Sequence, residues 1–122
     1  MILELPKDYS LLDTKGQILL DEGKYRESID YFTQAMKVTE LESPTIRGHR
    51  AEAFTLIKQY DSAISDYKES SKLNRNYYLP LARTYEIIKA DDSAIKYYRL
   101  YIALNPDSLN ISKKINQLVK GE

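Results

Sequence analysis

What constrains this chain most is a pattern of apolar and small residues that comes back after 35 positions. Tyr25, Ile29, Phe32 and Ala35 return as Tyr60, Ile64, Tyr67 and Ser70, and Ala63 returns 31 positions later as Ala94. Spacings of three and four within each set mark one face of an α-helix. A second helical stretch with a small residue on it precedes each set. Gly16 stands with Leu12, Leu19 and Leu20, Ala51 with Phe54, and Ala82 with Leu81 and Tyr85. Glu22-Gly23-Lys24 reads as the turn between the first two helices. Small residues facing each other across two helices let their axes approach closely, and an aromatic ring fills the space beside them. The chain is therefore expected to be a succession of helix–turn–helix units.

Length and composition agree. At 122 residues there is one domain's worth of core. Apolar residues make up 43% and charged residues 30%, which suits a globular chain. Strand-like alternation is absent. The net charge is zero, 18 basic against 18 acidic residues. Phosphate binding needs a basic excess, so a general nucleic-acid binder or membrane-surface binder is not expected. The charge is unevenly spread, however. Residues 1–42 hold five Lys/Arg against nine Asp/Glu, and residues 43–122 hold thirteen against nine. The bland reading is solvated helix faces. The sharper one is an acidic front that could meet a basic back. Without Cys there is no disulfide framework and no thiol chemistry. The opening MILELPKDYS lacks a basic region followed by a long apolar run, and no stretch approaches the roughly 18 apolar residues of a membrane helix. A soluble, cytoplasmic protein is the expectation.

Along the chain, residues 1–8 form a lead-in that Pro6 keeps from continuing as helix, with Ile2 and Leu3 placed to tuck against the first helix. Asp8 or Ser10 can cap that helix. Ser43-Pro44 is a strong helix start. The spacing places units at 9–42, 43–74 and 75–107, with Pro80 in the first turn of the fifth helix. Ser108 opens a last helix over 108–122, with Leu109, Ile115, Leu118 and Val119 on one side. It can cover the apolar face that the third unit would leave bare.

A period near 34 with these residues resembles the tetratricopeptide repeat. The family's small residue of the first helix is Gly16, Ala51 and Ala82, and its aromatic one turn later is Leu19, Phe54 and Tyr85. In the second helix the matches are Ser28, Ala63 and Ala94, then Phe32, Tyr67 and Tyr98, then Ala35, Ser70 and Tyr101. The closing Pro is present only as Pro106. The family's Trp-like anchor is Leu12, Arg47 and Tyr78 here, and its following Leu is Lys15, Arg50 and Leu81. Arg47 and Arg50 make the middle unit the least typical, with their stems expected on the core and their heads in water. The resemblance implies an all-α fold: three units stacked as a right-handed α-solenoid with a C-terminal capping helix. It also implies a concave groove lined by the first helix of each pair. Groove positions would be Ser10, Asp13, Thr14 and Gln17, then Thr45, Gly48, His49 and Glu52, then Asn76, Leu79, Arg83 and Glu86. Such grooves bind a segment of another protein.

No catalytic constellation stands out, and an enzyme is not expected. His49 is either a groove hydrogen-bond donor, sensitive to pH, or a half-exposed helix residue. His49 and Glu52 share a face, but two ligands are too few for a metal. The four Gly residues are too scattered for a phosphate loop. The Tyr stripe looks like base-stacking equipment, but Tyr60, Tyr67, Tyr85 and Tyr98 all fall on repeat core positions. Tyr77 and Tyr97 lie off that stripe and are the better candidates for exposed contacts. One subfamily binds acidic C-terminal tails of heat-shock chaperones with a clamp of Lys and Asn, Asn, then Lys and Arg. Those positions read Asp13, Gln17, His49, Asn76 and Pro80, so no such clamp is expected.

The expected function is a non-catalytic scaffold or adaptor that holds a protein or peptide segment in its groove. The candidate contacts are Asp13, Gln17, His49, Glu52, Leu79, Arg83 and Glu86, with no cofactor. They suggest a ligand of some basic character with an apolar anchor near Leu79. The alternatives are a self-assembly module joining front to back through Ile2, Leu3 and the capping helix, and a small chaperone for secreted proteins, on analogy alone.

Overall fold

The computed structural model describes residues 8–39 and 43–121. Ile2, Leu3 and Pro6 lie outside them, so the expected lead-in does too. Among the described residues there are seven α-helices and no strand. They are α1 (Tyr9–Asp21), α2 (Tyr25–Val38), α3 (Pro44–Leu56), α4 (Tyr60–Leu73), α5 (Tyr78–Ile87), α6 (Asp91–Leu104) and α7 (Leu109–Lys120). One turn of 3-10 helix, Arg75–Tyr77, leads into α5. The closest packing is α1 on α2, α3 on α4 and α5 on α6. Contacts of α2 with α3, α4 with α5 and α6 with α7 join the pairs into a stack.

Local chemistry sets the ends of the helices. The Asp8 carboxylate accepts from the N–H groups of Ser10 and Leu11. Ser43 Oγ accepts from the N–H of Ile46, and Pro44 occupies the first turn of α3. Asn74 Oδ1 accepts from the N–H of Asn76, and Pro80 falls in the first turn of α5. Ser108 stands at the start of α7, yet its side chain makes no capping bond.

The three turns inside the pairs share one geometry. Gly23, Lys58 and Lys89 occupy the same register and all have positive φ, +81°, +65° and +66°. In each turn the next residue's N–H reaches back to a helix carbonyl: Lys24 to Leu19, Gln59 to Phe54 and Ala90 to Tyr85, all at 2.9 Å. This is the Schellman ending, which glycine adopts most easily.

The core follows the repeat. Phe32, Ala35, Ala51, Ala63, Leu81, Ala82 and Ala94 are fully buried, and Tyr67 and Tyr98 nearly so. Gly16 makes room for Phe32, because a Cβ there would lie 2.5 Å from its ring and force it to shift.

Three expectations need correction. The guanidinium heads of Arg47 and Arg50 do not reach out to water. Both turn inward to Asp66 on α4, which is 2% exposed. Arg50 binds it with two hydrogen bonds, Nε to Oδ2 at 2.8 Å and Nη2 to Oδ1 at 2.9 Å, and Arg47 Nη1 reaches Oδ1 at 3.3 Å. Arg50 also donates to Thr33 of α2 and lies over the Phe54 ring. In α7, Ile111 and Ile115 make the buried face, with Leu118 packed beside them. Leu109 and Val119 stay exposed, at 71% and 45%. Finally, neither Tyr77 nor Tyr97 is an open contact. Tyr97 stacks on Tyr85 with centroids 5.6 Å apart, and Tyr77 stacks on Tyr67 at 6.3 Å.

Candidate binding face

The first helices of the three pairs, α1, α3 and α5, present three rows at i, i+4 spacing, so each row continues one face, and the first two rows hold five of the seven candidates. The first row is Asp13, Gly48 and Leu79. The second is Gln17, Glu52 and Arg83, and the third is Asp21, Leu56 and Ile87.

At the α1 end, three candidates meet. Gln17 Nε2 donates to Asp13 Oδ2 at 2.9 Å, and His49 Nδ1 lies 2.9 Å from Asp13 Oδ1. An ionised carboxylate only accepts, so this contact places a proton on Nδ1. The imidazole also tilts against Phe32 with centroids 5.6 Å apart. This small network bridges α1 and α3 across the face and holds the Asp13 carboxylate in place.

The next position explains Gly48. Its missing side chain makes room for Tyr77. A Cβ on Gly48 would come within 2.4 Å of that ring. Tyr77 therefore forms part of the floor. Burial raises its phenol above the ordinary tyrosine value, a hydrogen bond with Thr45 works the other way, and the charges of Asp13 and Glu52 add to the rise. Burial, with the nearby Glu52 charge, pushes the underlying Tyr67 up to about 12. Nothing in the periodicity pointed to this seat; its one signal was a glycine inside α3 where the other units carry Asp13 and Leu79.

Glu52 and Arg83 are exposed, and neither makes an ion pair among the described residues. One register further on, Leu56 and Ile87 are 46% and 49% exposed. Leu79 is half-buried and packs on the cluster of Ala82, Ile95, Tyr98 and Ile111.

Glu86 is engaged from within. It accepts from the Tyr98 hydroxyl at 2.6 Å and from Lys114 Nζ of α7 at 3.1 Å. Burial raises its pKa, but these two bonds and the charges of Lys114 and Lys89 outweigh it, so the carboxyl sits below its ordinary value. Tyr98 is shifted upward, by burial first and then by Glu86.

Among the described residues no three His, Cys, Asp or Glu side chains could hold a metal ion, and no helix is long and apolar enough to cross a membrane.

The family model of the tetratricopeptide repeat matches residues 9–40 and 76–108, leaving α3 and α4 between the two matched segments. RNA polymerase II-associated protein 3 of Mus musculus is 32% identical over 119 residues, which is 92% of this chain and 18% of that protein. The chain thus spans under a fifth of the length of its curated relatives, whose covered share is 16–18%. Among solved structures, the first TPR of Spaghetti (RPAP3) bound to the HSP90 peptide SRMEEVD has a TM-score of 0.82 at 24% identity. The match covers 93% of this chain and 92% of that one. The crystal structure of MamA has a TM-score of 0.87 at 20% identity, covering 95% and 69%.

Proposed function

Since the chain belongs to the tetratricopeptide repeat family, we propose that it is a non-catalytic protein–protein interaction module that holds a segment of a partner protein along the face of α1, α3 and α5. One observation carries this reading. Glu52 and Arg83 stand exposed and unpaired at one register of neighbouring helices, next to exposed Leu56 and Ile87. The other candidate side chains on that face are engaged within the fold. Asp13, Gln17 and His49 form a preset wall, Glu86 is held by Tyr98 and Lys114, and Leu79 supplies the half-buried apolar contact. A preset wall lowers the ordering cost of binding.

Acidic chaperone tails are not proposed as its ligand. The clamp positions hold Asp13, Gln17, His49, Asn76 and Pro80, and the Asp13 carboxylate would face a carboxylate of the tail. The Spaghetti domain carries an HSP90 peptide, but at 24% identity its likeness to this chain is one of fold. Tight binding of a free acidic C-terminal peptide, abolished by Arg83→Ala, would overturn this part.

The test of the main reading is affinity capture with mass spectrometry. It compares the natural chain with a variant carrying Gln17→Ala, His49→Ala and Arg83→Ala together. A protein captured by the first and lost from the second supports the face as the contact; equal capture by both refutes it. A second reading, self-assembly, draws on exposed Leu109 and Val119 of α7 and on the uneven charge. It requires a solution mass that falls as salt rises, because exposed charge contacts are screened.

A further inference from the structure

The charges on this face have an order, and the order says what kind of segment fits. On the side of α1 and α3 stand the carboxylates of Asp13 and Glu52, together with the Tyr77 phenol. On the side of α5 stands Arg83, while Glu86 and Lys114 of α7 pair with each other. Glu52 and Arg83 could have cancelled each other, being at equal register on neighbouring first helices, yet no ion pair joins them. Packed helix axes lie about 10 Å apart, and α3 and α5 are joined mainly through α4, so about three residues of extended chain is the shortest span between the two charges. Each charge is open to a ligand group of opposite sign, and the two groups stand at least about three residues apart. Leu56 and Ile87, one helical turn further along the same face, offer apolar contact beside both charges.

Resting on the proposed groove reading, we infer that the occupant is an extended partner segment of mixed charge. One basic side chain meets Glu52, an acidic side chain at least about three residues away meets Arg83, and apolar side chains lie on Leu56 and Ile87. A uniformly acidic segment would meet Glu52 and Asp13 at one end, and a uniformly basic one would meet Arg83 at the other. Like charges placed together across an interface exclude wrong partners more effectively than the matched pairs add affinity.

The test uses the full chain, immobilised, and capped synthetic decapeptide pools rich in Leu and Ile. One pool carries Lys and Glu about three to five residues apart in both orders, one carries Glu at both places and one carries Lys at both. The natural chain is expected to retain the mixed pool about tenfold over either uniform pool, with one order of Lys and Glu enriched. The doubly reversed variant, Glu52→Arg with Arg83→Glu, should enrich the opposite order. Both residues are exposed and unpaired, so the variant should keep the helical circular dichroism of the natural chain. Retention of a uniform pool, or the same order in both proteins, overturns the inference while leaving the groove in place. A retained peptide that crosslinks only to α2, α4 or α6 overturns the groove reading itself. No retention of any pool overturns the mixed-charge occupant, while loss of the captured partner in the triple alanine variant still reports separately on the groove.

Discussion

In the first helix pair, Gly16 lets the Phe32 ring lie directly against α1; in the third, Ala82 does the same for Tyr98. In the middle pair Ala51 and Tyr67 keep that arrangement, but a buried carboxylate is added beside it. Asp66 of α4 is gripped by Arg47 and Arg50 of α3, and Arg50 reaches on to Thr33 of α2. The first pair is held by apolar fit and the third adds one bond from Tyr98 to the part-buried Glu86 carboxylate, while the middle pair buries a carboxylate between two guanidinium groups. The difference matters for the stack, because the Arg50–Thr33 bond crosses the joint between the first two pairs. A buried ion network of this sort adds little net stability over an apolar core, but its directional bonds fix how neighbours sit. The family model passes over just this segment. Fixing the joint also fixes the spacing of α1 and α3 on the binding face.

The sharpest way to break the contrast is Asp66→Ala. It leaves two guanidinium groups facing an apolar site, and we expect a loss of about 3 kcal/mol in urea unfolding. Adding Arg47→Leu and Arg50→Met to that variant should restore most of the loss, because matched apolar groups pack as well as a buried ion pair. No restoration would mean that the network contributes more than packing. Next is Gly16→Ala, which drives a Cβ into the Phe32 ring. Overpacking should cost about 2 kcal/mol, with the better helix propensity of Ala returning part of it. The reverse change in the middle pair, Ala51→Gly, should cost about 1 kcal/mol from helix propensity alone.

The turns give an effect of opposite sign. Lys58→Gly and Lys89→Gly relieve a left-handed backbone at a residue with a side chain, and each should stabilise by about 1 kcal/mol. Calorimetry should show both melting points rising. The smallest expected effect is in the third pair. Glu86→Gln removes a charged acceptor from Tyr98 and Lys114 and should cost about 1 kcal/mol at neutral pH, held low because Lys114 is partly exposed. The folded Glu86 pKa lies below its unfolded value. Its contribution is therefore complete above the ordinary carboxylate range and fades as pH falls through the folded value. The gap between the natural chain and Glu86→Gln should close in that acidic window and stay constant above it.

The helix pairs were readable from the sequence because their signals are local. Phe32, Tyr67 and Tyr98 recur at fixed distance, Ser43-Pro44 announces α3, and Gly23 announces the first turn. What sequence reading missed depends on residues far apart in the chain. Asp66 looks like an ordinary surface acid until Arg47 and Arg50 arrive from 19 and 16 positions earlier. Tyr77 looks free until Gly48 opens a seat for it. Lys58 and Lys89 take the strained turn because the repeat demands the same backbone there, though neither residue type favours it. In α7, two overlapping apolar faces were available, and packing against Ala94, Ile95 and Tyr98 selected the one with Ile111 and Ile115. On the candidate face, the resemblance named the helix positions, but not which side chains were already committed inside the fold.

The most direct test of the face as the binding surface is site-specific photocrosslinking. One chain carries a photoreactive side chain in place of Glu52, between the preset wall and Arg83, and a second carries it in place of Ser65, exposed on α4. Illuminated in the presence of the captured partner, the chain labelled at 52 should give the crosslinked product and the chain labelled at 65 should not. A product from 65 with none from 52 would contradict the account.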